Sequence, residues 1–198
     1  MSVPIDLINE YLRDVDSYVV NENYKNDLQG ILISEGDIQS RIERLSQEIA
    51  QDFSPHFIAY CVLDGAMKFF TKLLSYEKMP PPIVRSGTAK SRSGTESGKL
   101  KSRINFSDIR SKEVLLVEDI VDSGKTLSYL IKAAKKHKPK KLSIACLLDK
   151  PSRREEDIVI DYVGFIIPDE FVVGYGMDFN DKYRYLNHLG VLKQEVYK

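Results

Sequence analysis

The chain has 198 residues, of which 42% are hydrophobic and 29% charged. That suits one globular domain with a substantial core. Lys+Arg and Asp+Glu each number 29, and zero net charge argues against a broad electrostatic footprint for nucleic acid or a membrane surface.

The opening segment, MSVPIDLINEYLRD, holds acids and no continuous apolar run, so it does not read as a signal peptide. No stretch approaches the length of a membrane span. Cys61 and Cys146 sit in apolar runs (IAYCVL, SIACLL) and read as buried, inert thiols in a reducing compartment. The expected setting is cytoplasmic.

In chain order, Ile38, Ile42, Leu45, Ile49 and Phe53 have helical spacing, and Ser34 with Asp37 reads as a capping box before them. An apolar run over residues 57–63 predicts a strand, followed by Asp64-Gly65 and a helix over 66–74. A second strand is expected over 83–90. Residues 91–103, SRSGTESGKLKSR, have almost no apolar content and predict a mobile loop. Residues 113–120 read as a buried strand ending on two carboxylates. Leu127, Leu130, Ile131 and Ala134 mark the next helix. Residues 141–148 and 161–167 are β-rich, and the remainder after about 150 either finishes the sheet or covers it. Alternating strand and helix patterns argue for α/β architecture, with a mostly parallel twisted sheet flanked by helices. Ligands of such sheets bind beyond the carboxyl ends of the strands.

The segment from Val114 to Leu127 carries the chemistry. An apolar strand leads into Glu118-Asp119, two hydrophobics, then Asp122-Ser123-Gly124-Lys125-Thr126 at a helix start. The free N–H groups of a helix N-terminus suit a phosphate. The hydroxyls of Ser123 and Thr126 add donors, and Gly124 lets backbone approach. Three carboxylates beside an anion site suit sugar hydroxyls, a developing positive charge or Mg²⁺. Gly124-Lys125-Thr126 is not a P-loop, because the earlier glycine that motif needs is Asp119 here.

This segment resembles the phosphoribosyl-pyrophosphate motif of the phosphoribosyltransferases. Asp149-Lys150-Pro151, the run from Asp161 through Asp178, and Tyr183-Arg184 with His188 resemble the C-terminal half of the hypoxanthine–guanine type. The resemblance extends over roughly residues 25–193. It implies one type I phosphoribosyltransferase domain over 1–198, with a small hood from N-terminal residues and about 151–198. It also implies Mg²⁺, phosphoribosyl pyrophosphate and a 6-oxopurine base as ligands, and a homodimer or homotetramer.

Residue by residue, the resemblance gives Glu118 and Asp119 to the ribose hydroxyls, partly through Mg²⁺, and makes Asp122 the acid–base group at purine N7. It gives Ser123, Gly124, Lys125 and Thr126 to the 5′-phosphate, Lys150 to the 6-oxo group, and Phe171 to base stacking with Ile120 opposite. The main chain at Val172 would meet the purine edge. Asp178 would hold Mg²⁺ with the pyrophosphate, and Arg184 would contact the pyrophosphate. Lysine can only donate at the 6-position, which favours an oxo group over adenine's amino group.

Two departures stand out. Relatives carry a basic residue where this chain has Leu63-Asp64-Gly65, so Asp64 is expected to turn from pyrophosphate and leave contact to the backbone. The mobile loop holds Ser91-Arg92 in place of Ser-Tyr. These departures support a rival reading, a catalytically impaired nucleotide-sensing or RNA-binding relative; an enzyme preferring xanthine is another. The basic run at residues 132–141 reads as a solvated helix end rather than a nucleic-acid patch. His56, His137 and His188 lack metal-ligand spacing.

Overall fold

The computed structural model describes residues 3–8, 10, 12–18, 20–90 and 101–198. Ser91 and Arg92 lie outside the described residues, as does most of the expected mobile loop.

The elements in chain order are β1 (Ile5–Asp6), a 3-10 turn (Val15–Ser17), α1 (Glu22–Lys25), β2 (Leu28–Ile33), α2 (Glu35–Asp52), β3 (Ile58–Leu63) and α3 (Met67–Leu74). Then come β4 (Ile83–Lys90), β5 (Lys101–Ser102), β6 (Glu113–Val121), α4 (Lys125–Lys135) and β7 (Lys141–Asp149). A 3-10 turn (Pro151–Arg153), β8 (Tyr162–Ile166), β9 (Val172–Val173), β10 (Leu189–Leu192) and α5 (Gln194–Tyr197) complete the chain.

Seven strands form the main sheet in the order β1-β8-β7-β6-β3-β4-β5. Neighbours are parallel except β4 and β5. From β3 the chain crosses through α3 to β4 on one side, and from β6 through α4 to β7 on the other. β3 and β6 are therefore adjacent strands whose crossovers diverge, which opens a crevice at their carboxyl ends.

The central strands are apolar on both faces because helices cover both. Leu115 and Val117 point to the side packed by Leu45, Ile49, Phe69 and Leu73. Val114 and Leu116 point to the side packed by Leu127 and Leu130. This is the two-residue alternation of a strand. In α2, Ile38, Ile42, Leu45 and Ile49 have no solvent exposure, each worth about 1.5–3 kcal/mol of burial. Ser34 caps that helix: its Oγ accepts from Asp37 N at 3.2 Å and donates to Asp37 Oδ2 at 2.7 Å. The hydrogen bond from Ser34 is the first cause holding the Asp37 carboxyl below its ordinary value, and Arg13 adds to it.

A second, antiparallel sheet of three strands, β2-β10-β9, forms the hood. Its extent is narrower than residues 151–198, because β8 pairs with β7 in the main sheet, Leu148 opposite Phe165. One other boundary moves, and the expected helix start holds. β6 runs through the acids to Val121, since pairing with β7 continues to Val121 opposite Asp149. α4 starts at Lys125, before its first apolar residue.

Both cysteines are buried. Burial first, then nearby carboxylates, push the Cys61 thiol up to about 12. His188 is structural: its Nδ1 accepts from Glu35 N at 3.0 Å, at the start of α2. In the basic run, Lys132 and Lys140 pair with Glu156 and Glu113. Among the described residues no helix is long and apolar enough to cross a membrane.

Candidate active site

The crevice at the ends of β3 and β6 holds two cavities that share a wall. The smaller, about 100 Å³, is lined by Glu118, Ile120, Val121, Asp122, Ser123, Gly124, Thr126 and Leu127. The larger, about 680 Å³, takes Asp119, Ile120, Asp122, Lys150, Phe171, Val172 and Asp178 among its walls. Consecutive strand residues face opposite sides. Glu118 accordingly goes to the small cavity and Asp119 to the large one, while Ile120 and Asp122 border both.

Around the small cavity the chain turns through Gly124, whose φ of 82° is left-handed and suits glycine. The turn is pinned from outside. Ser123 O accepts from Glu155 N and Glu156 N at 3.0 and 3.3 Å, and Arg154 Nη1 donates to Asp122 O at 3.0 Å. Arg154 also pairs with Asp149 at the end of β7. Lys125 points outward to Glu155 at 2.5 Å and does not line the cavity. What faces it is the start of α4 with the Ser123 and Thr126 positions, an arrangement that suits an anion.

Glu118 brings a carboxylate to that space. Its Oε2 is buried and has no hydrogen-bond partner among the described residues. Burial, then the charge of Asp119, raises the Glu118 carboxyl well above its ordinary value. Asp119 packs against Gly65: a Cβ there would lie 1.6 Å from Asp119 Oδ2. Burial lifts the Asp119 carboxyl to about 6, against hydrogen bonding from Ile120 N. Both groups would gain from a cation or a hydroxyl donor.

No group of three or more His, Cys, Asp or Glu that could hold a metal ion forms among the described residues. Glu118, Asp119 and Asp178 therefore do not make a preassembled cage. The reason is the strand alternation that separates Glu118 from Asp119, and the engagement of Asp178, which pairs with Arg184 at 2.7 Å and accepts from Asp181 N. A cation bound by one or two carboxylates and completed by substrate phosphates still fits this donor set, as Mg²⁺ sites commonly do.

Arg184 also donates to Gly176 O at 2.7 Å, so it is held beside Asp178. The Leu63–Asp64 peptide is cis. The Asp64 side chain is exposed and Gly65 is buried; neither lines the two cavities.

In the large cavity Lys150 is only 7% exposed. Its Nζ donates to Glu170 O at 2.5 Å. Burial lowers the lysine's pKa, opposed by the charges of Asp122 and Asp169. Phe171 and Ile120 both border the space, and Val172 is fixed by pairing with Val191.

Two contributions were not legible in advance. Arg153 Nε donates to Asp122 Oδ1 at 3.2 Å, and Arg153 also faces Asp169 at 3.6 Å. Tyr197 closes another side of the cavity. Arg153 follows Lys150 by one 3-10 turn, the only sequence signal available for it; Tyr197 carried none.

The Phosphoribosyl transferase domain family matches residues 34–180. The bifunctional protein TilS/HprT of Listeria monocytogenes is 39% identical over 206 residues, covering 95% of this chain and 31% of that protein. The chain thus spans about a third of the length of that relative. The hypoxanthine-guanine phosphoribosyltransferase of Bacillus subtilis is 40% identical, covering 88% of this chain and 98% of that one. A crystal structure of a Staphylococcus aureus hypoxanthine phosphoribosyltransferase superposes with a TM-score of 0.83 at 34% identity, covering 90% of this chain and 99% of that one. The fold thus has its counterpart in a solved structure, and the chain belongs to the phosphoribosyl transferase domain family.

Proposed function

We propose that the chain is a 6-oxopurine phosphoribosyltransferase. It transfers the 5-phosphoribosyl group of phosphoribosyl pyrophosphate to N9 of hypoxanthine or guanine, giving IMP or GMP and pyrophosphate, a step of purine salvage. The observation that carries this is the meeting of Asp122, buried Lys150 and Phe171 around one cavity that shares a wall with the anion-binding turn.

The 5′-phosphate lies against residues 123–126, where N–H groups at the start of α4 meet it. The base enters the larger cavity between Phe171 and Ile120, with Lys150 donating to O6 and the main chain at Val172 along the purine edge. Glu118 and Asp119 approach the ribose from the two sides of β6. As the bond from C1 to pyrophosphate breaks, positive charge grows on the ribosyl ring, and these carboxylates stabilise it. N9 bonds to C1, and Asp122 takes the imidazole proton. A carboxylate accepts at several lone pairs, so the Arg153 contact leaves Asp122 capacity for a purine N–H. Asp178 and Asp119 would hold Mg²⁺ with pyrophosphate oxygens, with Arg184 nearby; the ion would neutralise charge on the leaving group. Pyrophosphate meets backbone near Leu63–Gly65 rather than the Asp64 side chain.

Support for the base comes from Lys150, which can donate but not accept. A homodimer or homotetramer in the cytoplasm completes the proposal. The test is nucleotide formation with hypoxanthine, guanine, xanthine and adenine, with and without Mg²⁺. Mg²⁺-dependent product with the first two and none with adenine is expected. Preference for xanthine would overturn the base assignment. Nucleotide binding without turnover would mark a sensor instead.

A further inference from the structure

The helical turn α5 has no fully buried residue; Val196 and Tyr197 pack against the apolar cluster of the small sheet, and the turn lies against the larger cavity. β10 delivers it there: Val191 pairs with Val172, and Leu192 N donates to Phe171 O at 2.9 Å. Gln194, Tyr197 and Lys198 then border the cavity. The Tyr197 ring stacks on Phe171, with centroids 4.7 Å apart and planes 25° from parallel. Phe179 meets Phe171 edge-on, at 5.4 Å and 85°. One face of Phe171 is thereby taken and one edge is held, so a flat ligand stacking on this ring would use its other face.

We propose that Tyr197 is a positioning residue for base recognition: stacked behind Phe171, it fixes the plane on which the purine stacks. This rests on the reading of the larger cavity as the base site. Without Tyr197 the Phe171 ring would gain rotational freedom that base binding must remove, a loss confined to the base half. The smaller cavity, which holds the phosphate turn, is lined by no residue of α5.

The test compares the wild-type chain with Tyr197→Ala, Tyr197→Leu and Tyr197→Phe, measuring KM for hypoxanthine and for phosphoribosyl pyrophosphate, kcat, and Tm. Tyr197→Ala and Tyr197→Leu should raise the KM for base by roughly 3–10-fold, the span of an aromatic pair. The KM for phosphoribosyl pyrophosphate should stay within about two-fold by the same account, and Tyr197→Phe should restore the base KM. An unchanged base KM in both non-aromatic variants overturns the proposal. A lower one does so too, because Tyr197 would then be competing with the base for the same face. Equal rises in both KM values would mean general distortion and overturn it as well. If wild-type protein neither forms nor binds IMP, the base-site reading itself falls and this inference with it; an active wild type with an indifferent Tyr197 sinks the inference alone.

Discussion

On the proposed function the crevice has an anion half and a base half, and the anion half comes from one continuous piece of chain, the end of β6, a turn and the start of α4. The base half is assembled from four separate pieces. Lys150 stands at the end of β7, Ile120 on β6, Phe171 and Val172 at a two-residue strand, and Tyr197 on a helical turn. The first takes its shape from Gly124 in the left-handed region and is pinned by the segment after β7, where the N–H groups of Glu155 and Glu156 meet the Ser123 carbonyl. The second depends on how the β2-β10-β9 sheet seats on the main sheet. Anion binding should therefore withstand damage to the hood that base binding does not.

The largest expected effect lies on the shared wall. Asp122→Asn should lower kcat by roughly 10²–10⁴-fold, the span for lost acid–base assistance. Steady-state rates with hypoxanthine decide this; wild-type turnover would reduce Asp122 to a binding residue.

Lys150→Met comes next and addresses the base half alone. It should cut kcat/KM for 6-oxopurines by about 10²-fold or more, since a donor the site relies on is gone. Its effect on stability has the opposite sign. Burial lowers the folded-state pKa of Lys150, so the charged form is penalised on folding. That penalty is full below the folded pKa and fades as pH rises from there to the ordinary lysine value. Thermal melts should show Lys150→Met more stable than wild type at pH 7, with the gain shrinking as pH approaches 10 to 11. A loss of stability at pH 7 would mean that the Glu170 contact outweighs desolvation.

A third variant presses on the hood from a distance. Ile31 is 1% exposed on β2, and Ile31→Ala should cost about 2–4 kcal/mol of stability. Denaturation should be accompanied by a rise in the KM for base larger than that for phosphoribosyl pyrophosphate. Parallel rises would break the contrast between the halves.

The smallest effect belongs to the local half. Gly124→Ala must adopt a left-handed backbone and would place a Cβ 3.0 Å from Ile158 Cδ1. A cost of about 1–2 kcal/mol is expected, with the KM for phosphoribosyl pyrophosphate moving more than that for base.

The same division governs what could be read from residues alone. Residues 118–126 stood out because their motif is one short run, all of which except Lys125 borders the two cavities, and α2 was legible because Ile38, Ile42, Leu45 and Ile49 repeat at helical spacing. β2, β9 and β10 were not assigned as strands. Gly30 interrupts β2, β9 has two residues, and β10 carries Gly190; strand pairing rather than local preference makes them strands. Arg153 became visible only when the chain beyond β7 folded back over Asp122. Phe171, Val172 and Arg184 were candidates only through likeness to a family, since an aromatic or a lone cation has no spacing signal of its own; of the three, Phe171 and Val172 border the larger cavity. The acids at 118 and 119 looked like a pair, but strand alternation sends them apart.

That divergence has a consequence for whatever lies across the crevice. Ile120 and Asp122 form a ridge with a chamber on either side. A free base or a free sugar phosphate engages one chamber, whereas a molecule that joins the two straddles the ridge and is bivalent. Once one end is seated, the other is confined at an effective concentration far above that of the free fragment, which commonly adds about 10²–10⁴-fold to affinity. Under the proposed function, the joined nucleotide would be held more tightly than the pieces from which it is made, and its departure would require both ends to let go together.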